Sequence, residues 1–447
     1  MNRFGTQNVL KSRQTSRCLV LGVLLLIGLC SGTTTVSARS VNHPGQEVNQ
    51  QIDYPQAAYI RAGSLWISKG GVEYRATDQT RASLPKWSAD GKFIAYWVAE
   101  QNLWVYDVER KRSALVVESA DQYSWSPKEH ILAVRENGLL SVVDIARLAA
   151  GQLQVQQPVV SGVGNYSWTP DGSGFLVSSL AQLQPTGWTN VKLYVVPLTA
   201  NMDPKQVKQL YMLPSQSDDF FAVGTSIFKW SSDGKWIAFI AKPTASLSAD
   251  GNLLCVLSRD GSRFYTLDKM LGYPSWFNWA PQTNKLASIT GEGRFSVENK
   301  QLTVDELPVI QSKSYTPSGY ADRDFTWLDD YHIVVARAKE RAWSNTPGER
   351  PLPALYRIGL DDNQQIRITN PPSGSGDFFP QHVKSRSDRL TWIRTTRKQA
   401  DAWSSGPSGD KPYLIIKQLD MPNEYYDHFN WEEVIAWYGG RSRGDFQ

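Results

Sequence analysis

Asp121, Asp324, Asp377 and Asp427 each stand two to six residues ahead of an anchor position that recurs along the chain. Residues at one phase of a repeat gather around one axis, so these four carboxylates are candidates to ring a channel mouth. Two carboxylates about 5–9 Å apart in a solvent pocket can divide general-acid and general-base work. An aspartate at the start of a strand more often caps a turn, and that is the preferred reading here.

Other catalytic signatures are missing from the sequence. Gly374-Ser375-Gly376 and Gly406-Pro407-Ser408-Gly409 lack the Gly-x-Ser-x-Gly spacing of a nucleophile elbow. No His-Glu-x-x-His, Cys-x-x-Cys, P-loop or Gly-x-Gly-x-x-Gly occurs. His43, His130, His332, His382 and His428 are scattered; His382 and His428 lie near strand starts, where a functional role is a minority reading. The Asp-Gly pairs at Asp90, Asp171, Asp233 and Asp260 offer one or two oxygens each, fewer than a calcium loop gathers. We therefore expect no catalytic residue, no cofactor and no metal.

The first 38 residues hold four of the 47 basic side chains, Arg3, Lys11, Arg13 and Arg17, and no acid. The rest carries 43 basic and 43 acidic side chains, which gives no support for nucleic-acid binding. Residues 18–30 form an apolar run too short to span a membrane, followed by small residues at Val36 and Ala38. This reads as a signal peptide cleaved after Ala38, with an uncleaved anchor as the alternative. Leu29 before Cys30 is too bulky for a good lipobox. After cleavage only Cys255 remains, so no internal disulfide forms; its run 253–257 is apolar and marks it as a structural cysteine.

The elements that would position any site come from a repeat. Trp87-Ser88-Ala89-Asp90-Gly91 recurs as Trp125-Ser126-Pro127, Trp168-Thr169-Pro170-Asp171-Gly172, Trp230-Ser231-Ser232-Asp233-Gly234, Trp279-Ala280-Pro281 and Trp327-Leu328-Asp329-Asp330. A worn copy runs from Phe378 through Val383, and a truncated one follows Phe429 and Trp431. Each copy reads as a short strand a ending at the Trp, a tight turn, an apolar strand b, an alternating strand c and a last strand d. The spacing predicts an all-β propeller of four-stranded blades. Strand b is expected near 59, 93, 131, 175, 236, 286, 333 and 390, which gives eight blades, with seven as the alternative. The chain lacks a strand a before residue 59 and has a spare one at Phe429–Trp431, so pairing the two would close the ring. The expected division is a signal at 1–38, a linker at 39–54, a propeller at 55–438 and a tail at 439–447.

The Trp-Ser-x-Asp-Gly turn before Ile94-Ala95-Tyr96 or Ile237-Ala238-Phe239 resembles the TolB-like, WD40-like (PD40) propeller repeat over residues 55–438. The resemblance implies a fold rather than an activity. TolB carries an α/β domain ahead of a six-bladed propeller; residues 39–54 are too short for one, so a role in a Tol complex is not implied. The repeat is also similar to the propeller of prolyl-oligopeptidase-type peptidases, whose hydrolase signature is missing.

Antiparallel strands put the b–c and d–a loops on one face. The segments 180–190, 242–252, 339–353 and 395–412 read as long b–c loops, and 218–221, 273–276, 320–324 and 377–378 as d–a loops. Loops on a rigid frame concentrate binding residues, and Trp, Tyr and Arg dominate contact hot spots. Trp188, Trp276, Trp343, Trp403 and Tyr320 are the expected anchors, with Arg323, Arg341 and Arg350 as polar partners. Equally, these Trp side chains can fold back and cap the blades. The expected function is that of an exported, monomeric, non-catalytic scaffold binding a protein or envelope component. The alternative is a glycan- or small-molecule-binding protein, or a hydrolase, working at the central funnel.

Overall fold

A hydroxyl, a carboxylate and an indole build the repeats at Trp87, Trp168 and Trp230. The computed structural model describes residues 54–78, 81–149, 156–384 and 387–439. The expected signal, nearly all of the linker and all but the first residue of the tail lie outside the described residues. In blade 2 the strands Ala82–Trp87, Phe93–Val98, Asn102–Asp107 and Arg112–Val117 pair in that order. Ser88 Oγ donates to Asp90 at 2.9 Å and accepts from Phe93 N at 3.0 Å, while Gly91 takes φ +73°. That turn sets Trp87 opposite Ile94. Strand b is apolar along most of its length because it packs against neighbouring blades on both faces.

Eight such four-stranded antiparallel blades form a ring, and the described helices are only Ile145–Ala149, Ala245–Ser248 and four single 3-10 turns. The b strands begin at residues 57, 93, 131, 174, 236, 285, 332 and 388, within two residues of expectation. The anchor tryptophans of blades 2 to 7 tie each of those blades to the one before it. Trp125 Nε1 donates to Lys86 O at 2.9 Å, Trp279 Nε1 to Lys229 O at 2.9 Å and Trp327 Nε1 to Asn278 O at 3.0 Å. The acceptor in each case is the residue just before the preceding anchor. A buried indole N–H gains from such a partner, which suits Trp to this position in blades 2 to 7.

Ring closure differs from expectation in one respect. The innermost strand of blade 1 is Ile435–Trp437, which pairs with Ala57–Arg61 so that Trp437 faces Ala57. Trp437 is thus the anchor, and Trp87 Nε1 donates to Ala436 O at 3.0 Å, as the chain of contacts requires. The segment expected to fill this role does not. His428–Phe429 pairs with Glu424–Tyr425 in a separate hairpin, and Trp431–Glu433 is a 3-10 turn. Glu433 N bonds Asn430 O and Asn430 Nδ2 bonds Glu433, which bends the chain away from a strand there.

Three loop expectations are also corrected. Residues 395–412 are not one loop: strand c of blade 8, Ala400–Ser405, crosses them, and Gly406 to Gly409 makes the c–d turn. Tyr320 to Asp324 and Asp377 to Phe378 lie within the inner strands Tyr320–Trp327 and Gly376–Lys384. Both strands carry a bulge, with Asp324 at φ +39° and Phe379 at φ +50°.

Candidate functional site

The inner strands surround an axial cavity of about 160 Å³, with Lys86, Lys229, Asn278, Trp327, His382 and Ala436 among its lining. Lys229 is buried and donates to Phe277 O at 3.1 Å. Above the cavity, on the face of the b–c and d–a loops, the C-terminal hairpin crosses from blade 8 toward blade 1. Its turn residues Tyr426 and Asp427 take φ +50° and +67°, the left-handed pair of a type I′ turn usually left to Asn and Gly. Backbone strain of this sort persists only where surrounding contacts enforce it.

Those contacts are ionic and aromatic. The Asp427 carboxylate is fully buried and accepts Arg323 Nη1 at 3.0 Å and Arg397 Nε at 2.6 Å, with Arg350 Nη1 at 3.8 Å. Burial alone would raise its pKa; the Arg397 hydrogen bonds and the Arg323 and Arg397 charges outweigh that and hold it low. Arg323, only 1% exposed, also donates to Asp427 O at 3.2 Å and Pro351 O at 3.4 Å. Next to the turn, Trp343 stacks on Phe295 at 4.6 Å and meets Tyr426 edge-on, while Arg350 covers its ring at 3.9 Å. His428 stacks on Tyr273 at 3.6 Å. Burial, then the charge of Arg323, pushes His428 down to about 3, so the imidazole is neutral.

Of the expected site residues, the fold brings together Arg323, Arg350, Trp343 and Asp427. It scatters the others. Trp276 is 0% exposed and cannot be a contact anchor: its Nε1 donates to Asp324 at 2.9 Å beneath the hairpin. The Asp324 bulge aims that carboxylate inward, where it also accepts Phe379 N at 3.3 Å. Arg323 is buried, so it faces Asp427 instead of a partner. Trp403 sits in strand c of blade 8, half-buried, stacked on Trp392 and covered by Arg394 at 4.6 Å. Trp188 is half-buried in a small hairpin within the b–c loop of blade 4. Tyr320 is half-buried at the start of its strand, and Arg341 is exposed and donates to Glu349 O at 2.9 Å.

The four aspartates are each committed. Asp121 pairs with Arg135 at 2.7 Å, and Asp377 takes Arg394 at 2.7 and 2.9 Å together with Trp392 Nε1 at 3.1 Å. Asp324 and Asp427 are held as above. A general acid or base needs a carboxyl oxygen open to substrate; Asp324, Asp377 and Asp427 are buried, while Asp121 is exposed. Tyr273, Phe295, Arg397, Tyr425 and Tyr426 belong to the site although sequence reasoning passed over them. The aromatic Tyr425-Tyr426 pair beside a flagged aspartate was the available signal.

No family model matches the chain, and no curated protein matches it. Solved structures share the fold. Dihydro-heme d1 dehydrogenase NirN is 14% identical, covering 84% of this chain and 76% of that one, with a TM-score of 0.50. A puromycin hydrolase is 14% identical over 77% of this chain, with a TM-score of 0.49, and the chain spans only 55% of its length. TolB from Acinetobacter baumannii is 17% identical, covering 56% of this chain and 61% of that one, with a TM-score of 0.35. At these identities the likeness is one of fold. No helix among the described residues is long and apolar enough to cross a membrane.

Proposed function

We propose that this protein is an exported, non-catalytic propeller that binds a protein or envelope component through its b–c and d–a loop face. The observation that carries the reading is the contrast on that face. Its flagged carboxylates are spent on arginines and indoles, while large apolar side chains stand in solvent. Leu180 and Leu183 on the b–c loop of blade 4 are 60% and 68% exposed, Leu247 on that of blade 5 is 55% exposed, and Tyr425 on the hairpin is 49% exposed. Leucines held out on the loops of adjacent blades fit the apolar centre of a protein interface. Export follows from the leader, and the mature chain is expected to begin at Arg39.

The test is capture from envelope extract by the immobilised full chain, beside a Leu183→Asp, Leu247→Asp variant with an unchanged melting temperature. A protein retained by the parent and lost by the variant is the expected result. Equal capture by both, or capture by neither, would overturn the reading.

A further inference from the structure

Between the Gly272–Ser275 loop and the C-terminal hairpin lies a second pocket of about 420 Å³. Its size suits a small ligand or a single long side chain. Three carboxylates line it. Glu424 is engaged by Asp427 N and lies 3.7 Å from Arg350, and Glu433 is engaged by Asn423 at 2.9 Å and Asn430 at 2.8 Å. Glu432 is half-buried and has no hydrogen bond or ion pair among the described residues. No lysine or arginine lines the pocket.

An independent feature points the same way. His428 is 7% exposed, lines the pocket, and makes only ring contacts, with no side-chain hydrogen bond among the described residues. Its ring nitrogens are not sealed off, so a ligand in the pocket can reach them. Tyr273 and Tyr425 supply aromatic walls, which attract cations. A half-buried, unpaired carboxylate beside two phenol rings and an open imidazole is a receptor for positive charge.

We propose that this pocket binds an organic cation, an ammonium or guanidinium group, with Glu432 as its counter-ion, Tyr273 and Tyr425 around its apolar stem and His428 as a hydrogen-bonding partner. The proposal does not depend on the protein-binding reading, although Tyr425 belongs to both surfaces. The cation can come from a free amine or from a basic side chain of a peptide.

Isothermal titration calorimetry of the full chain with agmatine, Nα-acetyl-L-argininamide and its neutral isostere Nα-acetylcitrullinamide tests this. Agmatine or acetylargininamide is expected to bind, with acetylcitrullinamide at least about tenfold weaker, because the blocked pair differs only in the guanidinium charge. Binding of agmatine alone assigns the site to free amines; binding of acetylargininamide as well assigns it to peptide side chains. Glu432→Gln is expected to weaken binding by about tenfold with an unchanged melting temperature. Tyr425→Ala, which removes an exposed ring, should weaken it too. Failure of both cations to bind at millimolar concentration, equal binding of acetylcitrullinamide, or full affinity in Glu432→Gln would overturn the proposal.

Discussion

Replacing Asp427 with Asn keeps the side-chain shape and suits the left-handed φ of +67°, so the substitution isolates one charge. It leaves Arg323, 1% exposed, facing an amide, and leaves Arg397 Nε and Nη2 without the carboxylate they reach at 2.6 and 3.0 Å. Removing one member of a buried ion pair costs about 3–5 kcal/mol, because the charge left behind is unpaired. Unfolding entropy for about 380 residues is ~0.8 kcal/mol per degree, so the melting temperature should fall by ~4–6 °C. Thermal melts of the parent, Asp427→Asn, Arg323→Met and the double variant measure this. In the Arg323→Met background the Asn substitution orphans one cation fewer and should cost at least ~1 kcal/mol less. A single-variant shift below about 1 °C, or strict additivity in the cycle, would refute the claim that the clamp holds the hairpin.

Other outcomes follow from the same structure. Trp279→Phe leaves Lys229 O without the indole N–H it receives at 2.9 Å; the loss should be about 1–3 kcal/mol in urea melts, and less than ~0.5 kcal/mol would deny the inter-blade bond a role. His428 has a folded pKa of about 3, below the ordinary 6.5, so the unfolded chain takes up this proton first. Its stabilising effect is therefore intact above about pH 6.5 and declines as pH falls toward 3, by at most ~1.4 kcal/mol per pH unit. His428→Phe should flatten the melting-temperature profile between pH 6.5 and 5, and an unaltered slope there would contradict the assignment. Burial pushes the Cys255 thiol up and its side chain is enclosed. Iodoacetamide at pH 8 should leave Cys255 of the folded protein unlabelled and label it only in denaturant, as peptide mass mapping reports.

The blades were legible in the sequence because their grammar is local. A Ser or Thr hydroxyl, an Asp two residues on and a Gly at positive φ fold within five residues, as at Ser88, Asp90 and Gly91. The indole acceptor lies about one blade back in the chain, so repeat spacing alone carries it. Closure was half legible. Trp437 lacks the Asp-Gly turn that marks Trp87, Trp168 and Trp230, and Phe429-Asn430-Trp431 imitates the pattern of Phe277-Asn278-Trp279. Nothing local separates the two; what decides is the pairing of Trp437 with Ala57 across the whole chain. Trp276 misled for a related reason. Its loop position reads as exposed, and its buried acceptor, Asp324, stands 48 residues away on a bulge.

The clamp explains why so short a closure suffices. Only three residues, Ile435 to Trp437, pair with Ala57 to Tyr59, whereas the inner strand of blade 7 pairs at seven. A three-residue antiparallel contact is weak by itself. The chain reaches it through the hairpin, and the hairpin is fixed by Asp427 among arginines from blades 7 and 8 and by His428 against the Tyr273 ring. Holding the hairpin in place shortens the loop that must close and lowers its entropic cost. The same residues form one wall of the pocket at Glu432. Closing the ring and assembling the pocket are therefore one structural event, which places the only uncommitted carboxylate of that pocket on the segment whose position the clamp dictates.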